Sequence, residues 1–122
     1  MKKQDEIGFV IFGATGDLTR RKLLPALYQL ASENRLPEKL KIIGFARRPW
    51  TDAELRQVLA EGIEEYARIK PVDSKKIETL LENAVYLQGE FEKPEGFQEL
   101  FQLLDEIGIQ KRIYYLATPP SI

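Results

Sequence analysis

The sequence predicts an α/β fold, a parallel sheet covered by helices on both faces, and three observations carry that prediction. Ile7-Gly8-Phe9-Val10-Ile11-Phe12 is continuously apolar rather than alternating, the pattern of a strand buried on both sides. Gly13 and Gly16 follow it at once, and the segment after them carries apolar residues at helical spacing. Short apolar runs then keep alternating with helical periodicity along the chain, which implies parallel strands joined by right-handed crossovers.

Each element follows from its residues. Leu23, Leu24, Leu27, Leu30 and Ala31 define a first helix from about Asp17 to Ala31. Pro25 lies inside it, removes a backbone hydrogen bond and predicts a bend or a restart there. Asn34 to Glu38 is a short loop, and Lys41 to Ala46 reads as a second buried strand. Thr51 with Glu54 three residues later is a capping-box signature. Leu55, Val58, Leu59, Ile63, Tyr66 and Ala67 carry that helix toward Lys70, where Pro71 ends it. Asp73 or Ser74 caps a third helix with Ile77, Leu80 and Leu81 on its inner face, and Ala84 to Gln88 is a third strand. Phe97, Leu100, Phe101, Leu104 and Ile107 form a fourth helix stopped at Gly108. Arg112 to Ala117 is a fourth strand, ending in Thr118-Pro119-Pro120. With a nucleotide-binding first turn the expected sheet order is 3-2-1-4, a Rossmann-like three-layer sandwich truncated after its fourth strand. That strand is then an edge, with Ile113 and Tyr115 underpacked.

Composition narrows the chemistry. The chain has 122 residues, 43% hydrophobic and 30% charged, which suits one globular unit and leaves no room for a cleft between complete domains. It contains no Cys and no His, so thiolate nucleophiles, disulfides and the commonest metal ligand and neutral-pH base are excluded, and no metal site is expected. A net charge of −1 argues against a general grip on nucleic acid or anionic membrane. Residues 1–6 are polar with no apolar run suited to a signal peptide, and Ile7 to Ala14 falls far short of the roughly 20 residues that span a bilayer. A cytoplasmic location is expected.

Gly13-Ala14-Thr15-Gly16-Asp17-Leu18 joins the first strand to the first helix. Glycine at 13 permits a sharp turn, glycine at 16 permits close approach of a pyrophosphate, and main-chain N–H groups at the helix start suit phosphates. The spacing is G-x-x-G, with Thr19 where some turns of this kind have a third glycine. The competing reading is an ordinary tight turn, and Asp17 reads mainly as the helix N-cap. Residues 13–22 carry a net +2 through Arg20, Arg21 and Lys22, and residues 44–50 a further +2 through Arg47 and Arg48. Both clusters fall at the carboxyl ends of the first two strands, which favours an anion site over a solvated basic face. An NAD site wants an acid just after the second strand. Here Arg47 stands there and the nearest acid, Asp52, lies in the next helix cap, so NADP is preferred over NAD with Arg47 as the 2′-phosphate partner. Arg47 follows the turn at more than the usual spacing of about 20 residues, which the long first helix and its loop explain. Glu90 and Phe91 either line an adenosine pocket or, for Phe91 at least as readily, belong to the core. Thr118-Pro119-Pro120 either walls a nicotinamide site or merely ends its strand, and spacing does not choose.

The run Ile11-Phe12-Gly13-Ala14-Thr15-Gly16-Asp17-Leu18-Thr19-Arg20-Arg21-Lys22-Leu23-Leu24-Pro25-Ala26-Leu27-Tyr28 closely resembles the opening of glucose-6-phosphate dehydrogenases, bacterial ones especially. Ile42 to Arg48, Tyr86 to Phe91 and Tyr115 to Ser121 resemble further stretches of that family in the same order. The resemblance implies that Gly13, Ala14, Thr15, Gly16, Asp17, Leu18 and Arg47 bind NADP. It also implies that Lys22 sits at the cofactor–substrate junction and that Ala117 and the Pro119-Pro120 pair flank the nicotinamide. Pro25 matches the family, and Thr19 replaces a small alanine common at that position. The implied reaction is hydride transfer from C1 of glucose 6-phosphate to NADP, giving 6-phosphogluconolactone in the pentose phosphate pathway. The family's His–Asp pair and its sugar-phosphate motif would lie beyond residue 122, so no catalytic residue is assigned in this chain. Residues 1–122 are thus expected to be an incomplete NADP-binding domain without its substrate domain. Alone, it is expected to bind NADP weakly or not at all and to lack dehydrogenase activity; glucose 6-phosphate and homo-oligomer formation belong to a full-length protein. Two other readings compete. A sugar-nucleotide epimerase or extended short-chain reductase would use a Tyr-x-x-x-Lys pair, which Tyr66 to Lys70 fits by spacing but precedes the third strand. The other is a non-catalytic NADP-sensing module.

Overall fold

The computed structural model describes residues 6–37, 39–90 and 93–117. Strands β1 (Ile7–Phe12), β2 (Leu40–Ala46), β3 (Val85–Gln88) and β4 (Lys111–Leu116) form one sheet in the order β3-β2-β1-β4. Every pairing is parallel, with Phe12 opposite Phe45 on one side and Leu116 on the other. The helices are α1 (Leu24–Ser32), α2 (Asp52–Tyr66), α3 (Ser74–Leu81) and α4 (Pro94–Ile107). Element order and strand order both match the sequence expectation. No helix among the described residues is long and apolar enough to cross a membrane.

The unbroken apolar strands are explained by two cores. Ile11 and Ile42 pack on one face with Leu27, Leu55, Leu59 and Ile77 of α1–α3. Val10, Phe12, Ile43 and Phe45 point to the other face and meet Leu100 and Leu104 of α4. Alternate residues of one strand therefore enter different cores, so no position on β1 or β2 is left for a polar stripe.

The first helix departs from expectation in an informative way. Asp17 and Leu18 begin it in α geometry, but Thr19–Leu23 is a π-helical turn in which the Leu24 N–H reaches back to the Thr19 carbonyl. The chain then resumes as α1 with Pro25 in its first turn, the part of a helix that best tolerates a residue without an N–H. The widened turn thus absorbs the proline that was expected to bend or restart the helix. α2 also ends earlier than expected, at Tyr66 rather than near Lys70. Lys70 instead folds back, its Nζ donating to the Glu65 carbonyl at 2.9 Å and capping the helix end from outside. Asp73 caps α3, accepting from the Lys75 and Lys76 N–H groups, and Gly108 ends α4 in the left-handed conformation at φ 88°. On β4, Ile113, Tyr114 and Leu116 are exposed, Leu116 to 71%. Tyr115 is not underpacked as expected, because its ring stacks on Phe9 at 6.2 Å between centroids.

α2 crosses the π turn at Gly62. A Cβ there would lie 2.6 Å from Arg20 Cγ, 2.7 Å from the Arg20 carbonyl oxygen and 3.2 Å from Arg20 Cα. The obstacle is backbone, so it cannot step aside. Glycine to alanine inside a helix ordinarily stabilises by about 1 kcal/mol. Here we expect Gly62→Ala to lower stability by about 1–3 kcal/mol, read from urea unfolding. A stabilised variant would show that α2 and the π turn are not in this close contact.

Candidate functional site

The turn after β1 is fastened to the end of β2. Gly13 adopts φ 85°, a conformation that favours glycine. Its N–H and that of Ala14 both donate to the Phe45 carbonyl, at 2.8 and 3.4 Å. The Gly16 N–H turns back to the Gly13 carbonyl at 3.0 Å, and a Cβ on Gly16 would lie 3.2 Å from that same oxygen. Thr19, fully buried, adds its Oγ1 to the Gly13 carbonyl at 3.1 Å. Ala14 packs against β2 where Gly44 leaves room, since a Cβ at 44 would come within 2.9 Å of the Ala14 Cβ. The N–H groups of Thr15, Asp17 and Leu18 have no acceptor among the described residues. Opposite the turn, the Ala117 N–H donates to the Phe12 carbonyl at 2.8 Å, bringing buried Ala117 beside Gly13.

Asp17 does not cap the helix. Its carboxylate accepts from Arg21 at 3.1 Å and from Arg20 at 3.3 Å, the i+4 and i+3 neighbours that a helix stacks on one face. Arg20 also reaches Glu65 of α2 at 3.2 Å, and both guanidinium groups lie over the Tyr66 ring, 5.5 and 5.6 Å from its centroid. The Arg21 hydrogen bond holds the Asp17 carboxyl below its ordinary 3.8, against a smaller opposing desolvation and with Arg20 assisting. Two of the five cations expected to meet an anion are therefore committed within the protein. Lys22 is exposed and forms no ion pair among the described residues. The Tyr66 ring lies under the two arginines, and Lys70 Nζ is engaged by the Glu65 carbonyl at the end of α2.

The loop after β2 holds the other cluster. Arg47 and Arg48 are exposed and neither meets a carboxylate among the described residues, while their backbone is held firmly. Gln88 Nε2 donates to the Arg47 carbonyl at 2.9 Å, and the Tyr86 hydroxyl and Trp50 N–H both donate to the Arg48 carbonyl. Asp52, the nearest acid after β2, accepts from the Tyr86 N–H at 2.7 Å. Thr51 and Glu54 complete the reciprocal capping box at 3.1 and 2.7 Å. Burial pushes the Tyr86 phenol up to about 12, with Arg48 pulling weakly the other way, so it remains a donor at neutral pH.

Other nominated residues are dispersed. Glu90 is exposed just past β3, and Phe91 and Pro119 lie outside the described residues. A cleft of about 420 Å³, lined by Leu36, Leu40, Lys76 and Leu80 among others, opens at the amino end of β2, away from the turn. It gathers none of the nominated residues. Sequence reasoning missed Thr19 as a binder of the turn, Gly44 and Gly62 as its close-packing partners, and Tyr86 and Gln88 as props of the arginine loop. The only advance signal was Thr19, a polar residue where a small one was expected.

Residues 10–122 match the family model described as "Glucose-6-phosphate dehydrogenase, NAD binding domain". The glucose-6-phosphate 1-dehydrogenase of Chlamydia muridarum is 40% identical over 117 residues, covering 92% of this chain and 23% of that protein. That of Caenorhabditis elegans is 36% identical over 120 residues, 93% of this chain and 22% of the relative. A solved glucose-6-phosphate dehydrogenase in complex with its substrate glucose-6-phosphate superposes with a TM-score of 0.83 at 33% identity, covering 98% of this chain and 26% of that one. A glucose-6-phosphate 1-dehydrogenase from Mycobacterium avium gives 0.78 at 30% identity, covering 96% and 24%. The chain thus spans about a quarter of the length of these relatives.

Two measurements check the turn. Thr19→Val keeps shape but removes one hydrogen bond, and should cost about 1 kcal/mol of stability because Gly13 oxygen still keeps its Gly16 donor. A carboxyl NMR titration should place Asp17 below 3.8, and Arg21→Ala should bring it up. Since the folded pKa is the lower one, Asp17 stabilises the fold above its unfolded pKa, and that contribution fades as pH falls through the folded value. An Asp17 titration indifferent to Arg21→Ala would contradict the pairing.

Proposed function

The chain belongs to the glucose-6-phosphate dehydrogenase family, and from that premise we propose that it is the NADP-binding part of such an enzyme. The unshared N–H groups of Thr15, Asp17 and Leu18 at a helix start form a donor set suited to a pyrophosphate. Gly13 and Ala14 serve the site by shape rather than by donating, since the sheet already uses their N–H groups. Glu90 and Phe91 are proposed for the adenosine side from their place after β3, and Ala117 and Pro119 for the nicotinamide side by resemblance.

Cofactor choice rests on one observation: the first acid after β2, Asp52, sits at the start of α2 with one carboxylate oxygen engaged by the Tyr86 N–H, whereas Arg47 directly follows the strand and has no ion pair among the described residues. A guanidinium there suits a 2′-phosphate, which supports NADP over the NAD of the family description. NADP, when bound, supplies the acceptor for a hydride leaving C1 of glucose 6-phosphate, the product being 6-phosphogluconolactone. Lys22, exposed and without an ion pair among the described residues, is the cation proposed to meet the substrate beside the cofactor. The sequence holds no histidine, and no carboxylate pair is assigned to take the C1 hydroxyl proton. That base and the sugar-phosphate site are proposed to belong to further sequence, residues 1–122 being one incomplete domain. Lactone formation by the purified chain would contradict this division.

In a full-length protein, Arg47→Ala should weaken NADP much more than NAD, by about 1.5–3 kcal/mol for the lost charge-assisted contact. Calorimetric or NMR titration with both cofactors reads the difference. An equal loss for both would remove Arg47 from the 2′-phosphate.

A further inference from the structure

The edge strand β3 does more than widen the sheet. Tyr86 and Gln88, two apart and therefore on the same face, reach over the end of β2 to successive carbonyls of the loop that follows it. Gln88 holds the Arg47 carbonyl and Tyr86 the Arg48 carbonyl. The contact is returned by Asp52, which takes the Tyr86 N–H, and by Trp50, whose ring lies 6.0 Å from that of Tyr86. The loop is thus fastened to β3 from both directions, while the Arg47 and Arg48 side chains stay exposed. Fixing a peptide carbonyl fixes the plane that joins its own residue to the next, and so restrains the backbone from which both side chains depart. Loops are ordinarily the mobile part of such a site, and ordering one on binding subtracts from affinity.

We propose that Tyr86 and Gln88 are positioning residues that hold the Arg47–Arg48 backbone ready for a ribose 2′-phosphate, and so set the preference for the phosphorylated cofactor. This rests on the cofactor reading above. Neither residue touches the ligand in this account; each acts through an arginine's backbone. Tyr86 stays protonated across the neutral range, so the prop should not weaken with pH there.

The test uses the whole chain and two probes, adenosine 2′,5′-bisphosphate and 5′-AMP, titrated into the millimolar range by NMR. The parent protein should prefer the bisphosphate. The Tyr86→Phe/Gln88→Leu double variant keeps the ring beside Trp50 and most of the volume, but removes both donors. It should lose about tenfold of that preference while its 5′-AMP affinity stays within about twofold. Tyr86→Phe alone should give a smaller loss in the same direction, and serves if the double variant does not fold. Affinities for both probes falling together would mark a general structural role and overturn the proposal. A preference unchanged in the variants, though lost in Arg47→Ala, would overturn it while leaving the cofactor reading intact. A parent that binds both probes equally well would overturn the cofactor reading and this inference with it.

Discussion

The carbonyl of Phe45 takes the N–H groups of Gly13 and Ala14, and most of the site follows from that shared acceptor. It ends β1 and β2 at the same level, so that the glycine turn and the arginine loop leave the sheet side by side. Past these two bonded groups, the N–H groups of Thr15, Asp17 and Leu18 have no acceptor among the described residues. The Phe45 ring anchors this arrangement from the opposite face, buried against Phe12 and Phe97. Gly89 passes so close to that ring that any side chain there would collide with it. Register, turn and loop are therefore aspects of one constraint.

A second consequence concerns charge. A chain of net charge −1 sets two basic clusters at one end of the sheet, yet part of that charge is not available to a ligand. Arg20 and Arg21 join Asp17, Glu65 and Tyr66 and tie the start of the first helix to the end of α2. These exposed pairs contribute little stability individually. Their effect is to subtract competitors, leaving Lys22, Arg47 and Arg48 as the cations of the cluster that no carboxylate among the described residues neutralises. Asp52, the nearest acid after β2, is drawn toward the sheet edge by the bond that its Oδ1 accepts from the Tyr86 N–H.

Much of the fold was legible because its signals are local or periodic. Unbroken apolar runs marked the strands, Thr51 with Glu54 marked a helix start, and Gly108 marked a helix end. The strand order followed from the glycine turn after β1. What stayed hidden depends on contacts between distant residues. Nothing near Gly44 or Gly62 announces that one makes room for Ala14 and the other for the Arg20 backbone. The π turn was foreshadowed only by Pro25, whose position reads equally as a bend. Asp17 misled because an N-cap and an i+4 partner for arginine look alike in sequence. Arg47 is singled out by its place after β2, but its props on β3 lie some forty residues onward and no local pattern joins them.

An amide chemical-shift map of the chain titrated with NADP tests the central claim most directly, that the dinucleotide lies on the glycine turn and the arginine loop. The account predicts the largest shifts at Thr15, Asp17 and Leu18 and across Arg47 to Trp50, with Gly13 and Ala14 amides held by Phe45 and shifting less. Shifts gathered instead around Leu36, Leu40, Lys76 and Leu80, at the cleft on the other end of the sheet, would contradict it.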